Sequence, residues 1–226
     1  MATSRPNPAV LFDVDGTLVD SGYIHALAWR LAFVEHGFEV PTAWVHAMIG
    51  AGSDVLMKEL IGGERDDVNQ TRKRFLEELK GEIRVFPGSA DLIRAVHAAG
   101  AKTILATSSE KESVSDLRAA IDADDAIDDQ VTADDVPEAK PCPDVFLAAM
   151  EKAGADRTSA IAVGDTVWDI EAADGAGLQC VCVLTGGIGR LELEEAGALA
   201  VYRDVADLLE RLDESPLAPI IRGSGG

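Results

Sequence analysis

The chain has 226 residues, 47% hydrophobic and 27% charged, enough to bury a sizeable core as one domain with a large insertion or as two small domains. Forty Asp and Glu against 20 Lys and Arg give a net charge of −20, which argues against nucleic-acid and anionic-membrane partners because both call for basic patches. Three cysteines, Cys142, Cys180 and Cys182, with no CxxC spacing, argue against a disulfide framework or a zinc site.

Ala9 to Phe12 are apolar and β-prone without polar alternation, the pattern of a short strand buried on both faces of a parallel sheet. From Tyr23 the period changes: Ile24, Leu27, Ala28, Leu31 and Val34 fall at helical spacing up to a C-cap at Gly37. A second helix is expected from an N-cap at Ser53 through Leu60 and Ile61 to Gly62-Gly63, and a third, strongly charged, from about Asp66 to Lys80. No strand is predicted between 21 and 85, so this stretch reads as a helical insertion packed over the core as a cap.

The remainder alternates. Pro87-Gly88 opens a helix ending at Gly100, and Lys102 to Ala106 is a strand of the same apolar kind as the first. A helix over about Lys111 to Ala120 leads to a weaker strand near Ala126 to Thr132. A helix from Pro143 to Lys152 is followed by the strand Ala160 to Val163. A helix near Val167 to Ala173 leads to the strand Gln179 to Leu184, where Cys180 and Cys182 read as buried strand residues. Short helices at Arg190 to Ala196 and Val205 to Leu212 flank Ala198 to Val201, and Gly223 to Gly226 reads as a flexible tail. Strands alternating with helices predict an α/β fold: a doubly wound, Rossmann-like parallel sheet formed by 1–20 and 86–222, with a helical cap at 21–85.

In such sheets ligands bind beyond the carboxyl ends of the strands, so the residues just past each strand are informative. After the first come Asp13 and Asp15, two apart and projecting to one side, with Gly16 permitting the turn. Two carboxylates held there repel unless a cation or proton sits between them, and a Mg2+ site is one resolution. After Ala106 come Thr107, Ser108 and Ser109, hydroxyls and amides suited to phosphate oxygens or to a helix N-cap. Lys140 precedes Pro141 as the only cation between Arg118 and Lys152. After Val163 come Asp165 and Asp169, a second acid pair facing one side of a helix start.

Asp13-Val14-Asp15-Gly16-Thr17, Thr107, Lys140-Pro141 and Gly164-Asp165 with Asp169 together resemble the four ordered motifs of the haloacid dehalogenase superfamily, and the insertion is similar to its C1-type helical cap. Gly50-Ala51-Gly52, Phe86-Pro87-Gly88 and Lys140-Pro141-Cys142-Pro143-Asp144-Val145-Phe146 resemble stretches of phosphoglycolate phosphatases and β-phosphoglucomutases. The resemblance implies that Asp13 is a nucleophile forming an aspartyl phosphate and that Asp15 is a general acid and base whose carbonyl touches the metal. It implies a Mg2+ held by Asp13, Asp15 and Asp165, with Asp169 supporting the metal or Lys140. Thr107 and the Ser108 amide would hold phosphate and Lys140 would neutralise charge. In the cap, Gly50 to Ser53 should face the site, with His25 and Lys58 nearby; His25 fits the position of a histidine found in mutase-like members. Ser53 stands where β-phosphoglucomutases carry a phosphate-gripping arginine, which weakens a mutase reading.

The expectation is therefore a cytoplasmic Mg2+-dependent phosphatase, a monomer or homodimer, acting on a small phosphorylated metabolite. The same-fold alternative is a phosphohexomutase. A phospho-receiver module shares the acid, hydroxyl and lysine but should lack the second acid of the DxD and the insertion, and a non-catalytic binding protein would release no phosphate.

Overall fold

The computed structural model describes residues 5–222, so the tail expected at 223–226 lies outside the described residues. The strands are β1 (Ala9–Phe12), β2 (Val19–Asp20), β3 (Arg84–Val85), β4 (Lys102–Ala106), β5 (Asp129–Val131), β6 (Ala160–Gly164), β7 (Cys180–Val183) and β8 (Ala200–Tyr202). Six of them form a parallel sheet in the order β5-β4-β1-β6-β7-β8, and β2 pairs antiparallel with β3. Because β4 and β5 lie to one side of β1 and β6 to β8 to the other, the winding reverses at β1. That reversal opens a crevice at its carboxyl end. Phe12 stands level with Leu105 of β4 and Val163 of β6, so Asp13, Ala106 and Gly164 reach that end together.

Successive residues of β1 serve opposite faces, as extended backbone requires. Val10 and Phe12 join a core that includes Leu92, Ile93 and Val96 of the helix Ser89–Ala98. Ala9 and Leu11 join a second core with Phe146, Ala149 and Met150 of the helix Asp144–Ala153. Helices therefore cover both sheet faces, and all four β1 residues are fully buried. This is the predicted α/β architecture.

Between β2 and β3 run α1 (Gly22–Glu35), α2 (Thr42–Ala47), α3 (Ser53–Ile61) and α4 (Asp66–Leu79). They share a separate core of Trp29, Phe33, Val45, Leu56, Met57 and Val68. Three details differ from expectation. A strand, β3, does fall before residue 86, because Arg84 and Val85 pair with Asp20 and Val19, a match across the whole insertion that two residues cannot signal by periodicity. The helix α2, six residues after Pro41, is too short for a period. Gly52, not Ser53, caps α3, and Ser53 is its first helical residue. No described helix is long and apolar enough to cross a membrane.

Of the remaining helices, α5 (Ser89–Ala98), α6 (Lys111–Ile121), α7 (Asp144–Ala153) and α8 (Val167–Gly175) connect the strands nearest β1, and α9 (Arg190–Ala196), α10 (Val205–Glu210) and α11 (Leu217–Ile221) complete the chain.

Candidate active site

Lys140, 1% exposed, lies at the centre of the strand ends. Its ammonium donates to Asp13 Oδ1 at 2.6 Å, Asp169 Oδ1 at 2.8 Å and the Ala106 carbonyl at 2.8 Å, which uses all three protons. Burial opposes its charge, but the carboxylates of Asp13 and Asp169 outweigh burial and hold Lys140 above its ordinary value. Asp169 is fully engaged too. Its Oδ2 accepts from Asp165 N, Thr166 N and Thr166 Oγ1, the last at 2.7 Å, in a capping box at the start of α8. Asp169 therefore fixes Lys140, and Lys140 fixes Asp13. A Cβ at Gly164 would come within 2.5 Å of the Asp169 side chain, which is why the strand ends in glycine there.

Asp165 accepts from Thr17 Oγ1 at 2.6 Å and lies against Gly16, where a φ of 93° and the collision that a Cβ would make with Asp165 Oδ2 leave room for glycine alone. The carboxylate oxygens of Asp13, Asp165 and Asp169 come within 4.8 Å of one another. Burial, reinforced by the neighbouring carboxylates, raises Asp165 well above the ordinary carboxylate range. Burial also pushes Asp13 up to about 7, against the opposing pull of Lys140.

Asp15 points into a different set of donors. Its Oδ1 accepts from Ser21 Oγ at 2.6 Å and faces His25 Nε2 at 3.1 Å, while Oδ2 accepts from Ser109 Oγ at 2.6 Å and, more weakly, from Thr107 Oγ1 at 3.4 Å. Burial would raise this carboxyl, yet His25, Ser109 and Ser21 overcome it and hold Asp15 well below the usual range.

Above these groups is a cleft of about 60 Å³, lined by Asp13, Asp15, His25, Gly50, Ala51, Ser53, Thr107 and Ser108 among others. The Ser108 hydroxyl accepts from the Lys140 amide at 3.4 Å. The loop before α3 is seated on the core, for Gly52 N donates to the Lys140 carbonyl at 2.8 Å and Trp168 Nε1 donates to the Ala47 carbonyl at 3.1 Å. Lys58 is exposed on α3 and is not part of the lining. Arg72, Trp29 and Glu110 also line the cleft, and none of them belongs to a motif visible in the sequence. A weaker signal for Arg72 exists: it lies between Val68 and Leu76 at four-residue spacing, on the stripe that α4 buries.

Comparison with known proteins agrees with this geometry. The family model for haloacid dehalogenase-like hydrolases matches residues 8–177. The chain belongs to that family. It is 32% identical to the phosphoglycolate phosphatase of Rhodospirillum rubrum over 88% of each chain. It superposes with a TM-score of 0.86 on a hydrolase from Pseudomonas syringae, 34% identical, covering 92% of this chain and 98% of that one. A mutant of CbbY from Rhodobacter sphaeroides in complex with xylulose-(1,5)bisphosphate is 26% identical, with a TM-score of 0.72 and coverage of 89% and 96%. This haloacid dehalogenase-like hydrolase is accordingly a phosphatase.

Phosphatases of this family generally use Mg2+, and the charges in the pocket fit a divalent ion. Asp13, Asp165 and Asp169 are buried together with the single ammonium of Lys140, so with all three ionised the pocket carries two more negative charges than positive, the charge that a divalent ion would balance. Asp13 and Asp165 are the acids with oxygen left to offer, because Asp169 is consumed by Lys140 and the helix start. We expect Mg2+ at about a hundredfold over its dissociation constant to add about 2.7 kcal/mol, or about 5–10 °C in thermal midpoint for a chain of this size. The gain should shrink as pH falls below about 7, where protons compete for Asp13. Differential scanning fluorimetry with and without EDTA measures this, and Asp165→Asn should show almost no Mg2+ response.

Proposed function

We propose that this phosphatase hydrolyses a small phosphorylated metabolite, of the phosphoglycolate or sugar-phosphate type, through an aspartyl phosphate on Asp13, with Mg2+ held by Asp13, Asp165 and the Asp15 carbonyl. The observation that carries the proposal is the asymmetry of Asp13. Oδ1 is pinned by Lys140, whereas Oδ2 accepts no hydrogen bond among the described residues, and Asp13 lines the cleft. A carboxylate with one oxygen fixed and one free is an oriented nucleophile.

In the first half-reaction Asp13 Oδ2 attacks phosphorus, the bond from phosphorus to the ester oxygen breaks, and Asp15 supplies a proton to the departing alkoxide. In the second, Asp15 takes a proton from water as the water oxygen attacks the phosphoryl group, freeing Asp13 and orthophosphate. Lys140 would hold Asp13 throughout, and Thr107 with the Ser108 amide would hold phosphoryl oxygens. Mg2+ when bound would neutralise charge on the phosphoryl group. Residues 21–85 would serve as a cap closing this chemistry from solvent, and Ser53 would face the substrate.

Orthophosphate release from a panel of phosphorylated metabolites with Mg2+ tests the proposal. Orthophosphate should appear stoichiometrically with substrate loss. Incubation with β-glucose 1-phosphate and a trace of the bisphosphate tests the mutase reading. Glucose 6-phosphate accumulating many turnovers ahead of orthophosphate would overturn the hydrolytic assignment.

A further inference from the structure

Arg72 is the only lysine or arginine among the described residues that lines the cleft over Asp13 and Asp15. It comes from α4 and is 7% exposed. Its guanidinium lies 5.2 Å from the centre of the Trp29 ring. Nη2 and Nε donate to Asn69 Oδ1 at 2.9 and 3.3 Å, and Nη2 reaches Glu110 Oε1 at 3.3 Å. Among the described residues Nη1 has no partner, although no fully buried side-chain nitrogen is left unsatisfied, so Nη1 retains contact with open space. A guanidinium held by stacking and an amide, with part of its fork unused beside a phosphate site, is poised to receive an anion.

Glu110 already occupies the other part of that fork. It precedes α6 on the core side and is one-third exposed, and its second oxygen is 2.6 Å from Lys73 Nζ. Leaving Arg72 would cost Glu110 little, because Lys73 and water remain available to it. Arg72 and Glu110 also line a neighbouring groove of about 720 Å³ between α4 and α6, so the pair stands where the two spaces meet.

From this geometry we propose that Arg72 recognises a second anionic group on the substrate, a carboxylate, which takes the place that Glu110 fills in the absence of ligand. One observation selects the carboxylate class: the group now on Arg72 is itself a carboxylate, with Glu110 Oε1 3.3 Å from Nη2. The proposal rests on the phosphatase reading in placing the phosphoryl group at Asp13.

Calorimetric titration in Mg2+ with three non-hydrolysable ligands tests it: 3-phosphonopropionate, propylphosphonate, which lacks the carboxylate, and ethylenediphosphonate, which carries a second phosphonate instead. The parent should bind 3-phosphonopropionate about ten- to a hundredfold more tightly than propylphosphonate, the range of a charge-assisted hydrogen-bond pair. Arg72→Gln should bring the two within about threefold while leaving propylphosphonate near its parent affinity, and Glu110→Gln should widen the gap. If Arg72→Gln fails to fold, Arg72→Lys carries the test, since an ammonium keeps the charge without the fork and should narrow the gap. An equal loss for both ligands, an unchanged gap, or a larger Arg72-dependent gain for ethylenediphosphonate would overturn the assignment. Failure of the phosphatase reading would appear separately, as no orthophosphate from any phosphomonoester while the phosphonate gap persists.

Discussion

Asp13→Asn is expected to cut turnover at least ~10³-fold while leaving the protein folded, because it removes the nucleophile and little else. The amide has the shape of the carboxylate, and its oxygen still accepts from Lys140. The ammonium is not orphaned, since Asp169 Oδ1 and the Ala106 carbonyl keep their 2.8 Å contacts. Removal of the charge also relieves the repulsion that burial and the carboxylates of Asp169 and Asp15 impose at this position. The thermal midpoint without metal should therefore stay within a few degrees of the parent's or rise. Two measurements check this together: steady-state orthophosphate release, and acid-quenched labelling with a 32P-substrate, in which the parent should carry label on protein and the variant none. A folded Asp13→Asn protein turning over near the parent rate would remove Asp13 from the nucleophile role and, with it, the proposed aspartyl phosphate.

The α/β fold was legible in the sequence because the strands of a covered parallel sheet are apolar without alternation, and Ala9–Phe12, Lys102–Ala106 and Ala160–Gly164 each end abruptly in polar residues. The clustering of Asp13, Lys140, Asp165 and Asp169 was legible for the same reason: parallel strands in register deliver the residues beyond their ends to one edge. The environment of Asp15 was harder to read. Two residues from Asp13 and expected on the same side, its side chain instead turns to Ser21, His25 and Ser109, because the turn at Gly16 ends the extended geometry on which the period of two depends. The surroundings of the helical insertion were least legible, because Arg72 of α4 meets Glu110 across 38 residues, a contact that no local pattern encodes. Arg72 was concealed by its neighbours in Asn69-Gln70-Thr71-Arg72-Lys73-Arg74, whose other members are polar and none of them buried.

Asp15→Asn is expected to slow phosphorylation of the enzyme by ~10²–10⁴-fold for an alkyl phosphate and far less for p-nitrophenyl phosphate. An alkoxide leaving group needs a proton in the transition state, whereas p-nitrophenolate departs without one, so the loss should track leaving-group basicity if Asp15 is the acid. The structure sets a condition on that role. With His25, Ser109 and Ser21 around it, Asp15 is held well below the ordinary carboxylate range and is therefore ionised at neutral pH, the wrong form for an acid. Burial is the largest single influence on this carboxyl and acts in the opposite direction. Rotation away from its three donors would leave burial unopposed and allow Asp15 to take up a proton from water in the cleft. Single-turnover phosphorylation measured by rapid quench with both substrates separates this from a supporting role. Equal slowing of the two by Asp15→Asn would mean that the side chain shapes the turn at Gly16 and donates no proton to the leaving group.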